Sequence, residues 1–248
     1  MKNRTFWGRV AGPFKEFGAF AGSLYVVHRL LQALPLRCAL QYFELMAQPI
    51  SVKPLLPAGL AKNLSFREVH EGDPEVALMP AREDIKAERF RQGARCLAAY
   101  RKEQLLGYLW MGFERYREDE ARCTFELAAP AQSVFDFDFY VLPDQRMGIG
   151  FMAVWHGGSA FLQERGVRWS FSRMTRYNTA SRRAHLRLGA RVVGALWILQ
   201  VGVVELTLAT LAPFVALTWR PSQRVTLRLA PPDPDNAPTS SRGQSSMP

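Results

Sequence analysis

Ten residues, Val141-Leu-Pro-Asp-Gln-Arg-Met-Gly-Ile-Gly150, combine residue types that could bind an anion. An extended segment runs out through a proline and opens a helix whose first turn carries two glycines. Backbone N–H groups at a helix start lack intrahelical partners, and the helix dipole adds positive character, so this arrangement suits a pyrophosphate. The missing side chains at Gly148 and Gly150 let phosphate oxygens approach, although glycine there also serves tight turns and close helix packing.

The elements around this loop follow from periodicity. Val134 to Leu142 alternates Asp136, Asp138 and Tyr140 against Phe137, Phe139 and Val141, which predicts a strand with both aspartates on one face. A helix is expected from about Gly148 to Glu164, ending at Gly166, before a strand Val167 to Met174; strand, helix, strand implies a parallel crossover. A second helix starts near Asn178, whose side chain can cap it, and stops at Gly189 ahead of strands Arg191 to Gln200 and Val203 to Leu211. Upstream, Leu64 to Val69, Cys96 to Arg101, Leu105 to Phe113 and a stretch near Cys123 to Leu127 read as strands, with a helix over Arg82 to Gln92. A hairpin turn falls at Lys102 to Gln104 and a polar loop at Arg115 to Glu120. The fold class is therefore α/β (α+β) with a mixed sheet flanked by helices.

Residues 1–57 read as a basic, aromatic extension with a helix from Gly22 to Gln48, broken near Pro35; 58–230 as the domain; and 231–248 as a disordered tail rich in Pro and Ser. Leu24, Val27, Leu30, Leu31, Leu34 and Leu40 beside Arg29 and Arg37 would suit docking on the core or an interfacial membrane helix. The span Val192 to Trp219 holds one ionisable residue, Glu205, and is long enough to cross a bilayer. Glu205, Gly202, Pro213 and the β-branched content favour two buried strands instead.

A chain of 248 residues, 48% hydrophobic, can bury one sizeable core. Its net charge of +10 attracts polyanions, but no nucleic-acid-binding motif accompanies the charge. Cys38, Cys96 and Cys123 are too far apart for a zinc or disulfide framework, and His28, His70 and His156 show no ligand spacing, so no metal is expected. The cysteine usage and the lack of a leader pattern suggest a cytoplasmic protein.

The ten-residue block resembles the acyl-CoA signature of the GNAT superfamily of N-acyltransferases, Val-x-Pro before Gln/Arg-x-x-Gly-x-Gly/Ala, through Val141, Pro143, Gln145, Gly148 and Gly150. A second block, Asn178-Thr-Ala-Ser-Arg-Arg-Ala-His-Leu-Arg-Leu-Gly189, is similar to the family helix that flanks the thiol end of CoA, with Ala190 where an aromatic is usual. The resemblance implies a sheet that splays between the strand ending at Leu142 and the one beginning at Val167, with pantetheine slotted between them. It implies acetyl-CoA or another acyl-CoA as co-substrate, held by Tyr140, Val141, Gln145, Arg146, Met147, Gly148, Ile149, Gly150, Asn178, Ser181 and Arg182.

The chemistry it implies is direct attack of an amine on the thioester, with a backbone N–H near Val141 or Tyr140 for the oxyanion. Asp136, Asp138 and Glu126 are the carboxylate candidates for the base; Asp136 and Asp138 could instead recognise a cationic substrate. His185 stands where the family often has a tyrosine acid, and Tyr177 is a second candidate. The acceptor pocket falls to the loops Asp73 to Ala87 and Glu114 to Arg122, which name no substrate. Alternatives are an acyltransferase at the membrane surface working on a lipid-linked or polysaccharide precursor, and a CoA-binding module without catalysis; a homodimer is left open.

Overall fold

The computed structural model describes residues 18–19, 22–30, 38–146 and 148–232. Helix α1 covers residues 22–30, and a long strand β1 (Cys38–Pro49) follows. Then come α2 (Ala58–Ala61), β2 (Leu64–Val69), α3 (Pro74–Ala77), α4 (Glu83–Arg91), β3 (Arg95–Arg101), β4 (Gln104–Gly112), β5 (Arg115–Arg117), β6 (Cys123–Leu127) and β7 (Ser133–Val141). The chain continues through α5 (Gly150–Gln163), β8 (Trp169–Thr175), α6 (Thr179–Arg187), β9 (Arg191–Val201), β10 (Val204–Ala209), β11 (Val215–Thr218) and β12 (Val225–Leu229).

Nine strands form one sheet in the order β11-β10-β9-β1-β8-β7-β4-β3-β2, in which the β7–β8 pair is parallel. β3 and β4 are apolar on both faces because both are covered. Leu97, Ala99 and Leu109 pack with Val154, Trp155 and Leu162 of α5 on one side, and Cys96, Ala98 and Trp110 pack with Val76 and Met79 on the other. A second sheet, β12-β6-β5, lies on the α3/α4 side and buries Tyr116, Phe125, Leu127 and Leu227 against Phe43, Leu45, Phe135, Phe171 and Leu196. β5 replaces part of the expected polar loop, and β12 pairs in parallel with β6.

The helix expected to run to Gln48 is corrected: Cys38–Pro49 is a strand between β8 and β9, so residues below 58 supply part of the main sheet. Phe43 to Gln48 are buried on both faces, Glu44 and Gln48 included, so the segment carries no apolar period that separates strand from helix. Pro35 and the stretch 233–248 of the expected tail lie outside the described residues. Val192 to Trp219 folds as β9, β10 and β11, turning at Gly202 (φ 59°). Among the described residues no helix is long and apolar enough to cross a membrane.

Glu205 explains why one carboxylate sits in that apolar stretch. It is 3% exposed and accepts the Arg122 backbone N–H at 2.8 Å, while Arg122 Nη1 donates to the Val203 carbonyl at 2.6 Å. These bonds tie the entry of β6 to the β9–β10 turn. Glu205→Ala leaves that N–H unpaired and should lower the unfolding free energy by about 1–3 kcal/mol, read as a lower urea midpoint at unchanged m-value.

Candidate active site

Parallel pairing of β7 with β8 begins at Ser133↔Trp169 and stops at Asp136↔Ser172, although β7 continues to Val141 and β8 to Thr175. Beyond that point the two strands part, as the resemblance noted above implies. The other edge of β7 stays paired with β4, with a register shift between Tyr108↔Tyr140 and Trp110↔Phe137 that leaves one extra residue on β7. Asp138, at φ 47°, sits in this bulge.

The bulge overturns the expected alternation. Asp136 follows Val134 and Phe135, which pack with α5 and the small sheet respectively, so its side chain lies on the α5 side. Asp138 turns to the opposite side and meets Arg89 of α4, Oδ2 to Nη1 at 2.5 Å. The two aspartates therefore do not share a face. Glu126 is also corrected: on β6 it alternates with the core residues Phe125 and Leu127, which turns it to the outer side of the small sheet, away from the gap.

Leu142 N–H donates to Leu106 O at 3.0 Å, so the neighbouring Val141 directs its own N–H and C=O into the gap. Arg146 Nε donates to that Val141 carbonyl at 3.0 Å, and its guanidinium lies 5.5 Å from the centroid of the Tyr140 ring. A 3-10 turn, Pro143–Gln145, leads into α5. The amides of Ile149, Gly150 and Met152 donate to no backbone carbonyl among the described residues, as is usual in the first turn of a helix. The two glycines have different tasks. A Cβ on Gly150 would lie 2.6 Å from Val141 Cγ1 and 2.8 Å from Gln145 O, whereas one on Gly148 would meet only Gln145 O, at 3.7 Å. Gly150 thus seats the helix against the strand, whereas a side chain at Gly148 would meet only an ordinary contact. Met147 lies outside the described residues.

Asn178 caps α6 as expected, its Oδ1 accepting from Ser181 N at 3.2 Å. Asn178, Ser181 and His185 line a cavity of about 230 Å³ at the fork, with Asp136, Asp138, Phe139, Ser172 and Arg173. Tyr177 is not among its lining residues; its ring meets Tyr25 of α1 edge-on at 5.1 Å, and burial pushes its hydroxyl up to about pKa 12. Arg182 does not face the phosphate loop either. It pairs with the buried Glu44 of β1, Nε to Oε2 at 2.5 Å, because β1 brings a carboxylate there that the helix expected from sequence could not place.

His185 stands against Phe139, Phe151 and Trp155, with ring centroids 5.5–6.2 Å away. Gln48 Oε1 lies 2.8 Å from its Nδ1, which assigns the proton to Nδ1 and leaves Nε2 as an acceptor. Burial pulls its pKa down to about 4, so the ring is neutral at pH 7 and holds no imidazolium proton to donate.

Asp136 is 2% exposed, and burial raises its carboxyl to about pKa 7, although the Ser170 hydroxyl donates to Oδ2 at 2.6 Å and favours the charged form. This is the pKa a general base at neutral pH requires. Ser172 Oγ is buried without a partner among the described residues.

A second cavity of about 390 Å³ shares Glu120, Phe137, Asp138 and Arg173 with the first. Pro80, Ala81, Ile85, Glu118 and Asp119 complete much of it, so the two loops expected to form an acceptor pocket meet here. Arg89 bridges Asp119 (2.7 Å) and Asp138, and Arg173 bridges Glu118 and Glu120 (both 2.8 Å). Burial alone would lower the Arg89 pKa, but the two aspartates outweigh it and raise it. Burial pushes Glu118 up, offset in part by Arg173.

The fold is a mixed sheet, flanked by helices, that splays over a glycine-bearing helix start. No protein-family model and no curated protein matches the chain. Among solved structures, a conserved protein of unknown function from Staphylococcus epidermidis aligns at 12% identity and TM-score 0.47 over 71% of this chain and 66% of its own. A tandem GNAT protein from the clavulanic acid biosynthesis pathway aligns at 12% and 0.44 over 69% of this chain and 56% of its own. A GNAT glucosamine N-acetyltransferase region of a fungal multi-domain GH3 β-N-acetylglucosaminidase aligns at 11% and 0.41 over 71% of this chain and 22% of that one. The chain thus spans about two thirds or less of each of these structures.

Two stability measurements check this geometry. Gly150→Ala should cost about 1–3 kcal/mol through its clash with Val141 and Gln145, while Gly148→Ala should leave the melting temperature nearly unchanged. The folded-state pKa of Asp136 lies above its unfolded value near 4. The folded chain therefore holds the extra proton between about pH 4 and 7, and stability falls across that window as pH rises. Asp136→Asn removes this loss, so the variant should gain on the order of 2–4 kcal/mol over wild type at pH 8 and little at pH 4, in paired denaturant titrations.

Proposed function

We propose that this protein transfers an acetyl or other short acyl group from acyl-CoA to an amine. The observation that carries the proposal is the fork after Asp136↔Ser172, which leaves the main-chain groups of Val141 without a strand partner on the β8 side, above a carboxyl group tuned near neutrality. The amides of Ile149, Gly150 and Met152, which have no backbone acceptor among the described residues, and the space beside Gly148 suit the pyrophosphate of CoA. Its pantetheine arm, rich in amides, then lies along β7 in place of a strand partner, donating an amide N–H to the Val141 carbonyl once Arg146 releases it.

In the reaction, Asp136 takes a proton from the incoming ammonium, directly or through water, and the neutral amine attacks the thioester carbon. The Val141 N–H faces the developing oxyanion, where a fixed donor is worth about 10²–10³ in rate. Collapse forms the amide C–N bond and breaks the C–S bond. A thiol of this kind has a pKa of about 8.5, so its thiolate leaves without a strong acid and takes up the second amine proton from solvent. His185 then acts as a neutral, aromatic-clasped post that holds α6 against β7 and α5.

The experiment is a melting curve with and without acetyl-CoA, longer acyl-CoAs and free CoA, on wild type and on Gly148→Glu. A rise of several degrees at saturating ligand that the variant loses supports the proposal; no shift with any CoA defeats it. With a productive amine, kcat/KM should climb tenfold per pH unit below about 7 and level off above it. Asp136→Asn should abolish that rise and lower the plateau about 10²- to 10⁴-fold.

A further inference from the structure

The whole chain carries a net charge of +10, yet the two joined cavities reverse the sign locally. Their walls hold five carboxyl groups, Asp136, Asp138, Glu118, Asp119 and Glu120, against two guanidiniums, Arg89 and Arg173. Each guanidinium is already engaged by two carboxylates. An anionic acceptor would therefore enter a field set against it, while a cation would be drawn in.

This is a built arrangement rather than a solvated acidic surface. Glu118 is 5% exposed and accepts the Glu120 and Ala121 backbone N–H groups at 2.8 and 3.1 Å, which fixes the loop carrying Asp119 and Glu120. Ser172 is 6% exposed, lines the smaller cavity, and has a hydroxyl without a partner among the described residues, placed to accept an N–H from a ligand. Between the acidic groups, Pro80, Ala81, Ile85, Phe135 and Phe137 form an apolar wall suited to a methylene chain.

We infer that the acceptor is a small aliphatic diamine or polyamine, acylated on one nitrogen while a second, retained ammonium is held by Asp119 and Glu120. The inference rests on the acyl-transfer reading above and names its substrate. The reacting nitrogen occupies the smaller cavity beside Asp136 and Ser172. It gives up protons, forms the amide C–N bond and releases CoA as the free thiol, so no further reactant is needed. Acylation also removes one positive charge, which weakens the hold of the cavity on the product and favours its release.

The test compares three acceptors of matched length, 1,4-diaminobutane, n-butylamine and 4-aminobutyrate, by thiol release from acetyl-CoA, with calorimetric binding of acetyl-CoA and of 1,4-diaminobutane measured separately. The diamine should exceed butylamine in kcat/KM by about tenfold or more, with 4-aminobutyrate lowest, and the margin should shrink between 50 and 500 mM salt. Glu120 has a 65% exposed side chain, so Glu120→Lys should fold with an unchanged melting curve and cut the diamine advantage to about threefold or less. Equal rates for the three amines, or a diamine preference that survives Glu120→Lys, would overturn the substrate class while leaving acyl transfer in place. Failure to bind acetyl-CoA would overturn the underlying reaction instead, and diaminobutane binding, present in wild type and lost in Glu120→Lys, would still decide the cation site.

Discussion

The site depends on a short ladder: β7 and β8 pair in parallel from Ser133 to Asp136 and then separate. Two strands leaving one sheet expose main-chain donors and acceptors that folding would normally satisfy, and a protein tolerates this only where something else supplies the partners. Here Arg146 takes the Val141 carbonyl, and the remaining groups border a cavity. The bulge at Asp138 belongs to the same event. It lets β7 stay on β4 while turning away from β8, and it divides two aspartates between opposite sides of the sheet.

That division gives the carboxylates different environments. Asp136 has Ser170 as its hydrogen-bonding side chain and pays for burial with a raised pKa, whereas Asp138 is matched by a guanidinium that also holds Asp119. A group that must accept a proton at neutral pH benefits from the first setting, and one that must keep a field in place benefits from the second.

Much of this was legible in the sequence, and the failures share a cause. The strand Ser133–Val141, the glycine helix start, the Asn178 cap and the stop at Gly189 all follow from local rules, and each was found within about two residues. The sharing of a face by Asp136 and Asp138 did not survive, because a bulge inserts one residue without changing composition. Arg182 and Glu126 were misplaced for non-local reasons. The partner of Arg182 comes from a strand 138 positions away, and Glu126 belongs to a second sheet completed only by β12. Nothing in the two stretches Cys38–Pro49 and Val225–Leu229 marks which sheet they will join.

The position of β1 governs how the chain can be assembled in time. Made early during synthesis, it sits between β8 and β9, whose paired residues follow 120 to 163 positions later. Its apolar face, with Phe43, Leu45 and Ala47, therefore has no sheet to enter until nearly the whole domain has left the ribosome. The β2-to-β4 meander and its helices can form beforehand, but the fork at Asp136 becomes rigid only when β8 is clamped from its far side by β1. Completion of the active cleft and completion of the fold are thus the same late, long-range step, one that exposes the chain to slow folding and to capture by other nascent chains.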